Sequence, residues 1–215
     1  MINNIAKPIM RRFGVEKFVE TGVFMGDTMI IVQDWFCEWF GAEFNIGPWT
    51  AGKPGHKLGR YQMHEVEING LYIAEHIAPR WQEQGNVCIY QNDSVSWLTK
   101  TFDYGLLTSE DKCFFFLDAH QHESVDPEPL RREIEQVLRL KNQIICIDDW
   151  RVPGKHNDLY SSDLIRDLIA PRADCIIETE YPNFHGKYAA FIFPDRKQEE
   201  LVPKLVDLPL LVEKL

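Results

Sequence analysis

Short apolar runs alternate with longer stretches of helical period along most of this chain. The first run, KFVET at 17–21, has the length and composition of a strand. Residues 27–40 are largely apolar and predict a well-buried helix. The rhythm then breaks. Residues 41–63 hold Gly41, Gly47, Pro48, Gly52, Pro54, Gly55 and Gly59, which predicts a loop insertion. HEVEI at 64–68 predicts a second strand, followed by a helix over about 70–84. NVCIY at 86–90 predicts a third strand, and residues 94–101 a short helix.

The fourth run, CFFFL at Cys113–Leu117, is unbroken in its hydrophobicity. Strands buried on both faces of a parallel sheet read this way. Asp126 then caps a helix with Pro127 at its first position, where the missing N–H costs nothing. Leu130, Ile134, Val137 and Leu138 follow on one helical face. QIICI at 143–147 predicts a fifth strand. A helix over 161–170 turns Leu164, Ile165, Leu168 and Ile169 inward. The end differs: two apolar runs, 174–179 and 187–193, are separated only by a short segment with Pro182, Asn183 and Gly186. No crossover helix fits there, so an antiparallel hairpin is expected. A helix with a tail follows from Gln198.

Strand–helix units closed by a hairpin predict a single Rossmann-like three-layer α/β/α sandwich over 1–215. Its sheet is expected to be mostly parallel and seven-stranded, with a C-terminal antiparallel hairpin. Ligands bind such sheets beyond the carboxyl ends of the strands, near the point where strand order reverses. The residues just after each strand therefore carry the candidate chemistry: 21–28, 67–69, 92–94, 118–122 and 148–151.

Composition narrows the class. Hydrophobic residues make up 45% and charged residues 26% of 215 residues, an ordinary globular balance. The formal net charge of −10 argues against a phosphate-backbone partner, so no nucleic acid is expected. No run reaches the roughly 20 apolar residues of a membrane span, and the N-terminus lacks a signal-peptide core. A cytoplasmic protein with no membrane partner is expected. Five scattered cysteines with no CxxC pair read as small buried hydrophobes in a reducing compartment.

In ETGVFMGDT, a strand runs into Gly22 and Gly26 and then a helix start. Glycine allows the sharp turn and close ligand approach, and helix N–H groups favour an anion. This is not the dinucleotide GxGxxG pattern. Glu67, at the end of the run HEVEI, suits the two hydroxyls of a ribose. Asp93 and Ser94 could edge an adenine or simply cap a helix. Asp118 and the pair Asp148-Asp149 each follow a buried strand, and their carboxylates would share one crevice. Clustered acids repel unless a cation sits among them, and magnesium suits such oxygens. His120 is the candidate general base. Zinc is disfavoured, because no cysteine lies near His120 and His122.

Taken in order, these segments resemble class I S-adenosylmethionine-dependent methyltransferases. FVETGVFMGDT is similar to the first motif, which closes over the methionine end of the cofactor, and HEVEIN to the ribose-binding strand. QNDS is similar to the adenine-side segment. FFFLDAH with IICIDDWRVPG resembles small bacterial O-methyltransferases of the macrocin and catechol type. The resemblance implies S-adenosyl-L-methionine held by Glu20, Thr21, Gly22, Gly26, Asp27, Thr28, Glu67, Asp93, Ser94 and Asp118. It implies Mg2+ at Asp118, Asp148 and Asp149, with His120 and Asp118 catalytic. The expected reaction is metal-assisted O-methylation of a small hydroxylated or glycosylated molecule. Two other classes stay open: a Rossmann-like nucleotide-dependent enzyme, and a non-catalytic binding module, which Phe24 in the glycine loop keeps in play. The insertion, with Lys53, His56, Lys57 and Arg60, could form a lid. Trp35, Phe36, Trp39 and Phe40 suit the core or a homodimer face.

Overall fold

The computed structural model describes residues 4–22, 28, 38–43, 87–91, 94–118, 128–151, 163–181 and 188–215. The described elements are α1 (Ala6–Phe13), β1 (Lys17–Thr21), β2 (Glu38–Glu43), β3 (Val87–Gln91), α2 (Ser94–Asp103), β4 (Cys113–Leu117) and α3 (Glu128–Val137). They continue with β5 (Ile144–Arg151), α4 (Asp163–Ile169), β6 (Cys175–Thr179), β7 (Tyr188–Ile192), α5 (Gln198–Leu205) and β8 (Leu210–Lys214). One sheet holds them in the order β3-β2-β1-β4-β5-β7-β6-β8. The first five strands run parallel, and β7, β6 and β8 pair antiparallel at the other end. The expected three-layer, mostly parallel sheet with a terminal hairpin is therefore present, with eight described strands rather than seven.

Parity along each strand sorts side chains into two cores. Phe18, Phe114, Phe116 and Phe191 face one way and meet Ile9 and Met10 of α1 and Leu201 and Leu205 of α5. Phe18 stacks on Phe114 at 5.7 Å between ring centroids. Val19, Phe115, Leu117, Ile145 and Ile147 face the other way and meet Trp97 and Leu98 of α2, Leu130, Ile134 and Val137 of α3, and Ile165 and Ile169 of α4. All five β4 residues are buried, as an unbroken apolar run between two helical layers requires. α1 stops at Gly14, whose φ of 63° lets Val15 N–H reach the Met10 carbonyl at 2.9 Å.

Three expectations need correction. Residues 38–40 are not the end of a helix, and 41–43 are not loop: together they form β2, between β1 and β3. The backbone there finds partners on both sides, from Lys17↔Glu38 to Thr21↔Ala42 on β1 and from Trp39↔Val87 to Glu43↔Gln91 on β3. Such pairing outweighs local helical periodicity. The long extra segment thus falls between β2 and β3, and HEVEI lies outside the described residues. Second, β5 runs on through Asp148, Asp149 and Trp150 to Arg151, its register against β7 shifting after Ile147. Third, Leu164 is 48% exposed; Ile165 and Ile169 supply the buried face of α4. The helix expected from Gln198 is present, and the tail after it forms β8, which covers β6 antiparallel from Cys175↔Lys214 to Thr179↔Leu210. No described helix is long and apolar enough to cross a membrane.

Candidate functional site

Strand order reverses between β1 and β4. From β1 the chain moves outward to β2 and β3, then returns to place β4 and β5 on the other side. The carboxyl ends of β1 and β4 therefore flank the crevice where parallel α/β sheets bind ligands. β1 ends at Thr21, and Gly22 follows with φ 74°, a left-handed turn that a side chain would strain. Across the gap, the Asp118 N–H donates to the Thr21 carbonyl at 3.1 Å and lies 3.4 Å from its hydroxyl. These bonds extend the β1–β4 pairing one residue past Thr21↔Leu117 and fix both strand ends in one frame.

Glu20 and Thr21 are both buried, at 1% and 0% exposure, yet they point to opposite faces. Thr21 shares its face with Val19, on the side of α2 and α3. Glu20 shares the side of Phe18. Ser94 begins α2 and is half-buried. Thr28 is half-buried in a helical turn.

Asp118 and Asp148 each lie one residue past the end of the β4–β5 pairing, which closes at Leu117↔Ile147. Their proximity registers on a third group. Burial raises the pKa of the Cys146 thiol well above its ordinary value, and the negative charges of Asp148 and Asp118 raise it further. Both acids are half-buried. Asp149 lies in β5, and its side chain is outside the described set. Trp150 is fully buried beyond them, and its indole N–H donates to Glu178 Oε1 at 2.6 Å.

The expected site residues thus divide. Glu20, Thr21, Gly22 and Asp118 lie at or just past the carboxyl ends of β1 and β4, Asp148 lies in β5 just past its pairing with β4, and Ser94 begins α2. Gly26, Asp27, Glu67, Asp93 and His120 fall outside the described residues. Among the described residues, no group of three or more His, Cys, Asp or Glu could hold a metal ion.

Two acids escape notice in the sequence. Glu43 ends β2, 21 positions beyond Gly22. An acid about 20 residues past the glycine turn, at the end of the second strand, has the ribose-binding place of this architecture. That spacing was the available signal, masked by the helix-like aromatic pattern before it. Glu133 of α3 is fully buried. It sits at the third position after Leu130, on the apolar stripe, so a charge out of phase with its surroundings was its signal. Burial raises its pKa from 4.5 to about 7; the Ser94 and Thr21 hydroxyls act in the opposite sense. Neither carboxyl oxygen makes a hydrogen bond of good geometry with a described residue.

No family model matches the sequence, and no curated protein matches it. Solved structures do resemble the fold. The crystal structure of human methyltransferase-like protein 13 in complex with SAH is 12% identical, with a TM-score of 0.55 over 94% of this chain and 82% of that one. The spermidine synthase from Thermotoga maritima is 10% identical, with a TM-score of 0.55 over 91% of this chain and 59% of that one. The bifunctional kinase-methyltransferase WbdD gives 10% and 0.54 over 90% of this chain. The chain spans about three fifths of the synthase and 38% of WbdD. At these identities the likeness shows the fold alone, a Rossmann-like α/β arrangement.

Proposed function

We propose that this chain binds S-adenosyl-L-methionine and transfers its methyl group to a hydroxyl of a small hydroxylated or glycosylated molecule. The observation that carries this reading is the switch-point frame. A glycine in a left-handed turn follows β1, and Asp118 at the end of β4 is bonded to Thr21 across the crevice. The methyltransferase fold of the neighbours, one of them crystallised with SAH, supports the same reading. The fold alone leaves the transferred group open, since a spermidine synthase shares it.

In this reading Glu20, Thr21 and Gly22, with Gly26, Asp27 and Thr28, close over the methionine end. The left-handed backbone at Gly22, with no side chain, leaves the main chain open to the ligand there. The ribose hydroxyls go to the acid ending the second strand. Glu43 has that place in the sheet, so we assign it the role ahead of Glu67. Asp93 and Ser94 border the adenine. The cofactor supplies an electrophilic methyl, so the protein must align the acceptor oxygen and take its proton. Asp118 orients the acceptor, and His120 receives the proton.

We assign a divalent cation, where one is used, to Asp118 and Asp148, with Asp149 as third donor. Magnesium commonly takes one or two carboxylates and completes its shell with water and substrate. When bound it would lower the pKa of the acceptor hydroxyl. Calorimetric titration with S-adenosylmethionine and S-adenosylhomocysteine, with and without magnesium, tests the proposal. Saturable binding that tightens or gains heat with magnesium, and that loses the magnesium effect in Asp148→Ala, supports it. Absence of binding under both conditions leaves the chain as a module that kept the fold without the cofactor.

A further inference from the structure

A cavity of about 270 Å³ opens at the amino ends of β1, β4 and β5. Five-residue strands, at about 3.3 Å per residue, put it about 15 Å from the crevice at their carboxyl ends. Its lining combines apolar Phe13, Val15 and Ile144 with polar Lys112, Asn142 and Arg196.

Arg196 stands on the turn between β7 and α5, where its backbone N–H donates to the Phe193 carbonyl at 3.2 Å. Its guanidinium carbon lies 5.0 Å from the centre of the Phe13 ring, so the fork and the apolar wall belong to one cavity. The five donors of this side chain meet no carboxylate among the described residues. Arg131, Arg166 and Arg172, the other partly buried arginines described, each pair with an acid. Arg196 Nε is sealed from water and has no acceptor, a state that buried donors rarely keep.

The acids around it are engaged elsewhere. Asp195, its neighbour in sequence, holds Arg172 at 2.5 and 2.6 Å. Asp111 is held by Lys17 at 2.7 Å, and Asp207 by Arg12 at 2.6 Å. Glu110 lines the cavity but is exposed, and it forms no ion pair with a described residue. A second cation adds to the imbalance. Lys204 Nζ lies 4.9 Å from the same Phe13 ring centre, so two positive charges crowd one ring. Like charges gathered in this way favour an anion beside them.

We propose that this cavity binds a small carboxylic acid with an apolar body, its carboxylate on the Arg196 fork and its body against Phe13, Val15 and Ile144. A planar carboxylate matches the fork with two parallel hydrogen bonds. Glu110 and Asp111 on the same lining favour a single negative charge over a doubly charged phosphate. A volume just under that of drug-sized sites limits the body to about one ring.

The test is titration of the full chain with benzoate, with neutral benzamide and with inorganic phosphate, followed by backbone amide NMR signals. Benzoate should shift Val15, Lys112 and Asn142 saturably and leave Gly22 and Asp118 unmoved. Benzamide and phosphate should bind about tenfold more weakly or worse. Arg196→Met keeps the stem over the ring but removes the fork, and should weaken benzoate by about tenfold or more. Arg196→Lys keeps the charge and should lose less, because an ammonium cannot hold both oxygens in the same plane. If Arg196→Met fails to fold, Arg196→Lys and the three wild-type titrations decide. Shifts centred on Gly22 and Asp118, shifts that never saturate, benzamide or phosphate binding as tightly as benzoate, or unchanged affinity in a folded Arg196→Met would each overturn the proposal. The cavity lies apart from the proposed cofactor site, so that reading stands or falls independently.

Discussion

The Asp118 N–H and the Thr21 carbonyl, 3.1 Å apart, join the last residue of β1 to the residue just past β4, at the point where the sheet reverses its order. Everything proposed for the site hangs on this frame. Gly22 turns out of it, and Asp148 lies beside it.

Gly22 and Gly14 offer a matched pair for testing the turn. Both have left-handed backbones, with φ of 74° and 63°, but Gly14 ends α1 and meets nothing within 4 Å of an added Cβ. Replacing either by alanine should cost about 1–2 kcal/mol in a urea unfolding curve, from backbone strain. Only Gly22→Ala should also weaken S-adenosylhomocysteine binding, by tenfold or more in calorimetry.

The ribose-side acid can be read by two substitutions. Glu43→Ala should weaken S-adenosylhomocysteine by about tenfold or more, the loss of a charged hydrogen-bond acceptor worth about 1.5–3 kcal/mol. Glu67→Ala should change it less than about threefold, or about 0.7 kcal/mol. The reverse ranking would return the role to Glu67.

Stability should respond to Glu133 with a definite sign. Its folded pKa, about 7, lies above the ordinary 4.5, so the folded state holds the extra proton between these values. The contribution to stability is complete below about pH 4.5 and is lost as pH rises through 7. Glu133→Gln cannot ionise. Compared at matched pH by urea unfolding, it should gain on the wild type as pH rises, by up to about 3 kcal/mol at pH 8. Below pH 5 the two should differ little.

Trp150 is fully buried, and its indole N–H relies on Glu178 at 2.6 Å. Glu178→Leu should leave this donor without its acceptor and cost about 1–3 kcal/mol. Glu178→Gln keeps an acceptor oxygen and should cost less. Urea curves followed by tryptophan fluorescence would show both. Equal losses would mean that the bond contributes nothing beyond packing.

Cys113, Cys146 and Cys175 are buried thiols outside any disulfide, and burial raises the pKa of the last two. Thiolate is the reactive form, so none of the three should be alkylated in the folded protein at pH 8. Peptide mass spectrometry after labelling with and without denaturant would show it. Labelling of native Cys146 would mean that the ends of β4 and β5 open to solvent.

Patterns that burial imposes locally were legible in the chain. CFFFL read as a doubly covered strand and is one. Leu130, Ile134 and Val137 read as one helical face and pack on the sheet. The short segment between 179 and 188 left no room for a crossover, and β6 and β7 are antiparallel. In the site, a glycine after the first strand and acids after the fourth and within the fifth were visible, because residue type and strand end coincide there.

What the sequence determined by itself is the period of each segment, since alternation or helical repeat follows from which faces must leave water. That sufficed for the layered fold and for most strand ends. Only the tertiary structure decided which segments pair. The run up to Phe40 has aromatic spacing that a helix would bury equally well, but Glu38–Glu43 has β1 and β3 on either side to satisfy its backbone. The leucine-rich tail could have been helix, yet β6 offered an open edge and Leu210–Lys214 took it. Backbone hydrogen bonds to distant partners leave no mark on local periodicity, so Glu43 and the packing around Glu133 emerge only once the strands are side by side.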